Sequence, residues 1–239
     1  MAVNIDTVYQ KVLALANKEQ RGYITPQEFN LMADKAQMEI YDSYFHDVKM
    51  GYHKLKNDYK YADELEMLSE KLHPFKAESS SDIAADISNV ALPSATYLLD
   101  TVSRVKTGDT SPEYFFKEVD RKDIGNITNN PLLAPTKNRP VYVRHAGDIE
   151  IFPTPTEDTT INFHYYTNPS TPQWGYVVVN GRALHNNNST YTTNFTLHYS
   201  EEENLVMRIL QLCGIIIQKP GLVEVAMTDK AQTKQSQND

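Results

Sequence analysis

The chain has 239 residues, a hydrophobic content of 40% and a charged content of 23%, which together indicate a globular protein rather than a disordered one. Its formal net charge is −8, opposite in sign to the charge that holds nucleic acid tightly by its phosphates. A single cysteine, Cys213, excludes an internal disulfide. Because we find no signal-peptide pattern and no long apolar run, we expect a soluble chain made in a cytoplasm, with no membrane partner.

The first part of the chain, 1–78, is predicted to be helical. Apolar residues recur at helical spacing over 5–16. The sequence Thr25–Glu28 is typical of a helix start, because it supplies a capping hydroxyl, a proline in the first turn and a glutamate three positions after the cap. An apolar stripe continues this helix over 26–55, and a third helix is predicted over 61–72.

The segment 79–199 is predicted to be a mostly antiparallel β-rich insertion that begins at a serine run. Three hairpins are expected in it, which pair 86–92 with 96–105, 141–144 with 149–152, and 176–179 with 182–184. The last hairpin has the clearest signal, because Asn180-Gly181 favours the positive φ values of a type I′ turn. The strand 160–166 is expected to pair with the strand before it, and a short helix is expected near 120–127.

The chain is predicted to become helical again over 200–221, from a capping box at Ser200–Glu203 to a stop at 219–221. The last residues, 222–239, indicate a polar, flexible tail. These elements predict an α+β fold. An N-terminal helical hairpin and the C-terminal helix pack together, and the mostly antiparallel β insertion lies between them in the sequence.

The sequence contains no motif that identifies a catalytic, cofactor or metal site. His46 and His53 lie two helical turns apart, about 10 Å, which is a poor spacing for two ligands of one metal ion. A solvated helix face explains them better. Glu157 and Asp158 could bind a cation in a turn, but nothing in the pattern specifies one. We therefore predict a protein that is not an enzyme and that uses no cofactor or metal.

Tyrosine is abundant, with 15 residues against 8 phenylalanines, and it suits half-buried strands and subunit interfaces alike. The candidate interface residues are large side chains in three places: a strand that is expected to be exposed, a turn, and the start of the tail. They are Tyr165, Tyr166, Trp174, Leu222, Val223 and Val225. For Trp174, a local core cluster with Pro169 and Pro172 is at least as good an interpretation. The tail is expected to become ordered against a neighbouring subunit.

Two alternative functions remain open. Lysines and tyrosines alternate over 49–61, and such a patch could contact phosphates as part of a nucleic-acid-binding module. Cations near the end of a long helix also complement its dipole, and this explanation is favoured. The less favoured alternative, a tail-associated cell-wall hydrolase, would need paired carboxylates about 5–10 Å apart, and the sequence offers no such pair that we can nominate.

Three stretches of the chain carry a resemblance to known proteins: NIDTVYQKVLALANKEQRGYITPQEFNLMADKAQMEIYDSYF (4–45), DIEIFPTP followed by INFHYYTNPSTPQWGY (148–176), and LHYSEEENLVMRILQLCGIIIQKPGLVEVA (197–226). In these stretches the chain resembles virion proteins of crAss-like and related short-tailed, podovirus-type bacteriophages. The resemblance implies a head–tail adaptor-like structural protein of the neck or tail. Such proteins assemble as a ring, commonly of about twelve copies, in the portal–tail connector through which DNA passes.

The same resemblance implies the partners and the location of the protein. The partners would be further copies of this chain in a homo-oligomeric ring, the portal and other neck or tail rings, with weak, transient contact with genomic DNA. The protein would be made in the bacterial host cytoplasm and would reside in the virion. The resemblance carries over no catalytic residue. It does not distinguish which ring of the neck or tail this is.

Overall fold

The structure is a computed structural model that describes residues 2–18, 24–54, 59–106, 113–188 and 190–216. The chain divides into two compact units. The helical unit comprises the residues up to Pro74 and those from Pro169 onward, and the sandwich unit comprises Phe75–Asn168. Within the described residues, every strand pair except one is antiparallel. The predicted α+β fold class is therefore confirmed.

Five α-helices lie in the described part of the chain: α1 (Ile5–Lys18), α2 (Pro26–Lys54), α3 (Tyr59–Leu72), α4 (Arg121–Asn129) and α5 (Glu202–Ile216). α4 belongs to the sandwich unit and the others to the helical unit. α5 packs against both α1 and α2, and α2 packs against α3. The structure thus confirms that the C-terminal helix packs with the N-terminal helices, and the bounds of α1, α2 and α3 agree with the apolar patterns that predicted them.

The start of α2 is the capping box that the sequence indicates. The Thr25 backbone N–H donates to Glu28 Oε2 at 3.0 Å, and the Glu28 N–H donates back to Thr25 Oγ1 at 3.3 Å. The bond from the Thr25 backbone, followed by the bond from its hydroxyl, favours the carboxylate and lowers the pKa of Glu28. This local network satisfies backbone donors that an uncapped helix would leave without partners.

The start of α5 differs from the predicted capping box at Ser200. A short 3-10 helix, Tyr199–Glu201, precedes α5, and the His198 side chain caps it by accepting from the Ser200 N–H. Ion pairs connect α5 and the short helix before it to α1, α3 and α2. They join Lys11 to Glu202 at 2.6 Å, Lys71 to Glu201 at 2.7 Å, and Glu39 to Arg208. Glu201 is 2% exposed, so its carboxylate depends on Lys71 for compensation of its charge.

The apolar stripe of α5 is buried, and Cys213 lies in it at 5% exposure. Burial, with a smaller effect from the Glu28 carboxylate, raises the pKa of the Cys213 thiol to about 11. At pH 8 only about one thiol in a thousand is then the reactive thiolate. We expect Cys213 in the native chain to react with Ellman's reagent far more slowly than in the urea-unfolded chain. Equal rates in the two states would contradict this prediction.

The sandwich unit contains these strands: β1 (Lys76–Ile83), β2 (Asn89–Ala91), β3 (Thr96–Lys106), β4 (Tyr114–Phe115), β5 (Lys117–Glu118), β6 (Val141–Arg144), β7 (Asp148–Phe152) and β8 (Thr159–Thr167). They form two four-stranded sheets, in the orders β1-β8-β3-β4 and β2-β7-β6-β5. Side chains from both sheets share one core, as in the two layers of a β-sandwich. α4 packs Ile124 against Val141 and Val143 of the second sheet, which confirms the short helix expected near 120–127.

Strand pairing in this unit differs from the prediction in three respects. The serine run 79–81 lies inside β1 instead of marking a boundary. β2 and β3 do not form a hairpin, because the chain crosses from one sheet to the other between them, so that β2 pairs with β7 and β3 with β8. β8 does not pair with β7, its predecessor, but lies between β1 and β3. The hairpin of β6 and β7 is confirmed.

The predicted insertion, 79–199, also differs from the compact unit of strands, which starts at Phe75 and ends at Asn168. The segment 169–199 belongs to the helical unit instead, because hydrogen bonds and ring contacts tie it to α1 and α2. The predicted helix stop at 219–221 and the tail, 222–239, lie outside the described residues.

Candidate subunit interface

A two-stranded hairpin in the helical unit presents several exposed apolar side chains. It consists of β9 (Tyr176–Val179) and β10 (Arg182–His185), paired antiparallel, and we call it the exposed hairpin. The turn residues Asn180 and Gly181 have φ values of 51° and 75°, as the sequence predicts for a type I′ turn. Within the described residues, β9 and β10 pair only with each other, so each strand keeps one edge without a sheet partner.

The side chains of this hairpin are unusually apolar for a surface. Val177, Val178, Val179 and Leu184 are 50%, 62%, 46% and 53% exposed. Successive residues of a strand point to opposite faces, so the hairpin presents apolar side chains to solvent on both of its faces. Contiguous apolar surface with open strand edges is typical of a place where another chain binds.

Trp174 anchors the base of the exposed hairpin. Its ring is 2% exposed, with its centroid 4.3 Å from the ring centroid of Tyr9 and 5.4 Å from that of His185, on which it stacks. The indole N–H donates to Asp6 Oδ1 at 2.9 Å. The Asn30 side chain accepts from the Trp174 backbone N–H at 2.8 Å and donates to its carbonyl at 3.4 Å. The base is therefore fixed by both stacking and hydrogen bonds.

A second amide on α2, which is buried, fixes the chain on either side of the hairpin. Gln37 is fully buried; its Nε2 donates to the Ser170 carbonyl at 2.8 Å, and its Oε1 accepts from the Thr196 N–H at 3.0 Å. Asn30 and Gln37 lie two helical turns apart, so they share one face of α2. Sequence reasoning missed both residues; the only available signal is a pair of amides at this spacing beside the apolar stripe.

Gly175 allows the close approach that this base requires. A Cβ at this position would lie 2.5 Å from the Tyr191 carbonyl oxygen and 2.7 Å from Thr192 Oγ1. We expect Gly175→Ala to lower the free energy of unfolding by about 1–3 kcal/mol, because backbone must shift to admit the methyl group. Urea denaturation followed by circular dichroism measures this. The matched control is Gly147→Ala, whose Cβ would meet nothing within 4 Å. Equal effects of the two substitutions would contradict the prediction.

The candidate interface residues from the sequence are only partly accessible. The expected exposure of the strand around Tyr165 is wrong, because β8 is an interior strand whose Phe163 and Tyr165 lie in the sandwich core at 1% and 9% exposure. Tyr166, half-buried on the alternate face, stays a candidate. Trp174 is buried, in agreement with the core interpretation, although the ring contacts that the structure gives it are to Tyr9, Tyr176 and His185. Leu222, Val223 and Val225 lie outside the described residues.

The acidic and histidine candidates that the structure describes make ordinary surface contacts. His46 lies 3.5 Å from the neighbouring Asp47 carboxylate on an exposed helix face. The Asp158 carboxylate accepts from the Ala85 N–H at 3.2 Å, and Glu157 forms an ion pair with Lys137 at 3.6 Å. The side chains of the lysine and tyrosine patch, 49–61, lie outside those that the structure describes.

Comparison with known proteins gives no family for the chain. It matches no protein-family model and no curated protein. Among the described residues, no group of three or more histidine, cysteine or acidic side chains has a geometry that could hold a metal ion. The same part of the chain contains no helix with the length and apolar character of a membrane span.

Proposed function

We propose that the protein is a structural, non-enzymatic subunit of a short-tailed bacteriophage particle, and that copies of it form a ring in the portal–tail connector. The exposed hairpin is the observation that carries the assembly part of this proposal, because it offers two apolar faces and two open edges to another chain. The placement in a phage neck or tail rests on the resemblance of the stretches 4–45, 148–176 and 197–226 to proteins of crAss-like and related phages.

The construction of the hairpin suits a repeated contact between subunits. In a ring, one patch of each subunit meets a different patch of its neighbour. A patch that is already rigid loses less conformational entropy on binding. The stacking of Trp174 and the hydrogen bonds of Asn30 supply that rigidity at the base, and Val177, Val178 and Leu184 supply apolar area above it.

The charge of the chain is compatible with a passage for DNA. Its formal net charge of −8 disfavours tight binding to phosphates. A weakly repelling wall lets DNA move through a channel without adhering to it. We therefore expect acidic residues to outnumber basic ones on the channel surface of the ring, which an electrostatic map of the assembled ring would test; a strongly basic channel would contradict it.

Native mass spectrometry and negative-stain electron microscopy of the purified full chain test the proposal. The expected result is a closed ring of about twelve copies. Quantitative proteomics of purified virions is expected to find a similar number of copies in each particle. A chain that stays monomeric at every concentration, or that is absent from virions, would refute the proposal. DNA binding by the monomer that weakens steeply with salt would favour a nucleic-acid-binding module instead.

A further inference from the structure

We infer that residues 222–227 of one copy add as a third strand to the exposed hairpin of a neighbouring copy. This inference rests on the proposed function, since it names the partner of the hairpin within the ring. In strand addition, main-chain hydrogen bonds to an open sheet edge supply affinity, and alternate side chains supply specificity.

The hairpin supplies an acceptor with unpaired strand edges. β9 and β10 pair only with each other among the described residues, and each therefore has a row of backbone groups along its outer edge. A two-stranded sheet is marginally stable at best, and a third strand with apolar side chains stabilises it. Val177, Val179 and Leu184 lie on one face at positions where they would pack against such a strand.

The added segment has the sequence Leu222-Val223-Glu224-Val225-Ala226-Met227. Its alternation places Val223, Val225 and Met227 on one side of an extended strand. Glu224, the one charged residue of the segment, lies on the opposite side together with Leu222 and Ala226. Val223, Val225 and Met227 can therefore pack on the face that carries Val177, Val179 and Leu184.

The length of chain after Ile216 allows the segment to extend away from α5. The described part of α5 reaches Ile216, and five residues separate it from Leu222. In extended form these five residues span about 16 Å, and the six of 222–227 span about 20 Å, which matches the length of an ordinary strand. The remaining residues, 228–239, are mostly polar and include no large apolar side chain that would need to be buried in the contact.

A second copy is the occupant that the symmetry of a ring favours. Each copy carries one hairpin that accepts a strand and one segment that donates a strand. When these join head to tail, a closed ring leaves no hairpin and no segment without a partner. If the segment paired with the hairpin of its own chain, it would bond to the same backbone groups on the strand edge but would contribute nothing to assembly. An experiment can separate the two arrangements.

The experiment cross-links full-length variants, each with one cysteine added, with a short bismaleimide reagent. Val177→Cys protein is mixed with Val225→Cys protein, and the control mixture replaces the first partner with Met67→Cys, at an exposed position of α3. The native Cys213 is buried, so it contributes little background. We expect a covalent dimer from the first mixture, with residues 177 and 225 joined in the peptide map, and loss of that product in the control.

Each other outcome overturns the inference. A Val177→Cys/Val225→Cys double variant that cross-links only within one chain would show that the segment pairs with its own hairpin. The absence of any link in both the mixture and the double variant would refute strand addition. A hairpin that binds a different protein would give this same result. Native mass spectrometry of the same samples distinguishes strand addition from ring formation. Rings that lack the link between residues 177 and 225 refute strand addition alone. The absence of rings refutes the proposed function.

Discussion

Replacement of Trp174 with alanine is expected to lower the free energy of unfolding of the helical unit by about 3–5 kcal/mol, the range for a large buried aromatic residue. The residue is 2% exposed, and its ring stacks on the hairpin residue His185 and contacts the tilted ring of Tyr9. Its loss leaves a cavity at the hairpin base and removes the N–H donor from the Asp6 carboxylate. Urea denaturation followed by far-ultraviolet circular dichroism is the measurement, because Trp174 is the only tryptophan of the chain and fluorescence would lose its reporter.

Two further variants calibrate this result. Trp174→Phe retains an aromatic ring but lacks the indole N–H, so we expect a loss that is clearly smaller than that of Trp174→Ala. Met67→Ala truncates an apolar side chain that is 63% exposed, and we expect a change within about 0.5 kcal/mol. A loss below about 1 kcal/mol for Trp174→Ala would mean that the stacked cluster does not stabilise the helical unit in the way that its burial indicates.

Local signals predicted the elements that depend on neighbouring residues. The capping box at Thr25–Glu28 and the turn at Asn180-Gly181 are present as expected, because the hydrogen bonds and φ values involved are set within four residues. The apolar stripes of α1, α2 and α5 were equally readable, since helical periodicity is a property of a single segment.

Strand partners in the sandwich unit could not be read in this way. β1 pairs with β8 in a register that places Lys76 opposite Tyr166, and such a pairing is decided by packing between distant segments. Sequence neighbours pair in about two thirds of cases, and β8 is one of the exceptions. The serines 79–81 indicate a linker in isolation, yet they lie in an edge strand whose partner supplies the apolar residues of the core.

The hairpin of the candidate interface could be predicted from the sequence, but its exposure to solvent could not. A run of valines followed by Asn-Gly predicts a hairpin, but the same run is typical of a buried strand, so its exposure could not be inferred. The anchoring residues were also hidden. Asn30 bonds to Trp174 across 144 positions of the chain, and neither residue carries a local sign of that contact. Long-range side-chain bonds of this kind determine where the hairpin sits within the helical unit.

Val178→Lys is expected to abolish ring formation while the monomer stays folded. Val178 is 62% exposed on the hairpin, so the substitution leaves the monomer core intact. A lysine on an edge strand opposes the approach of another strand, because its charge would have to be buried in the contact. We expect each subunit interface to weaken by about 2 kcal/mol or more, as for a central contact residue. Mass photometry or native mass spectrometry measures the loss of rings, and circular dichroism verifies the fold.

The matched control for this variant is Met67→Lys, which places the same charge at an exposed apolar position of α3. Both variants alter the net charge equally, so a general electrostatic effect on assembly would appear in both. A ring repeats the same substitution at every interface, and the losses therefore accumulate around the closed assembly, so that even a modest loss at each contact shifts the population to monomers. Rings that persist with Val178→Lys would exclude the exposed hairpin from the subunit interface, whatever the role of the protein in the particle.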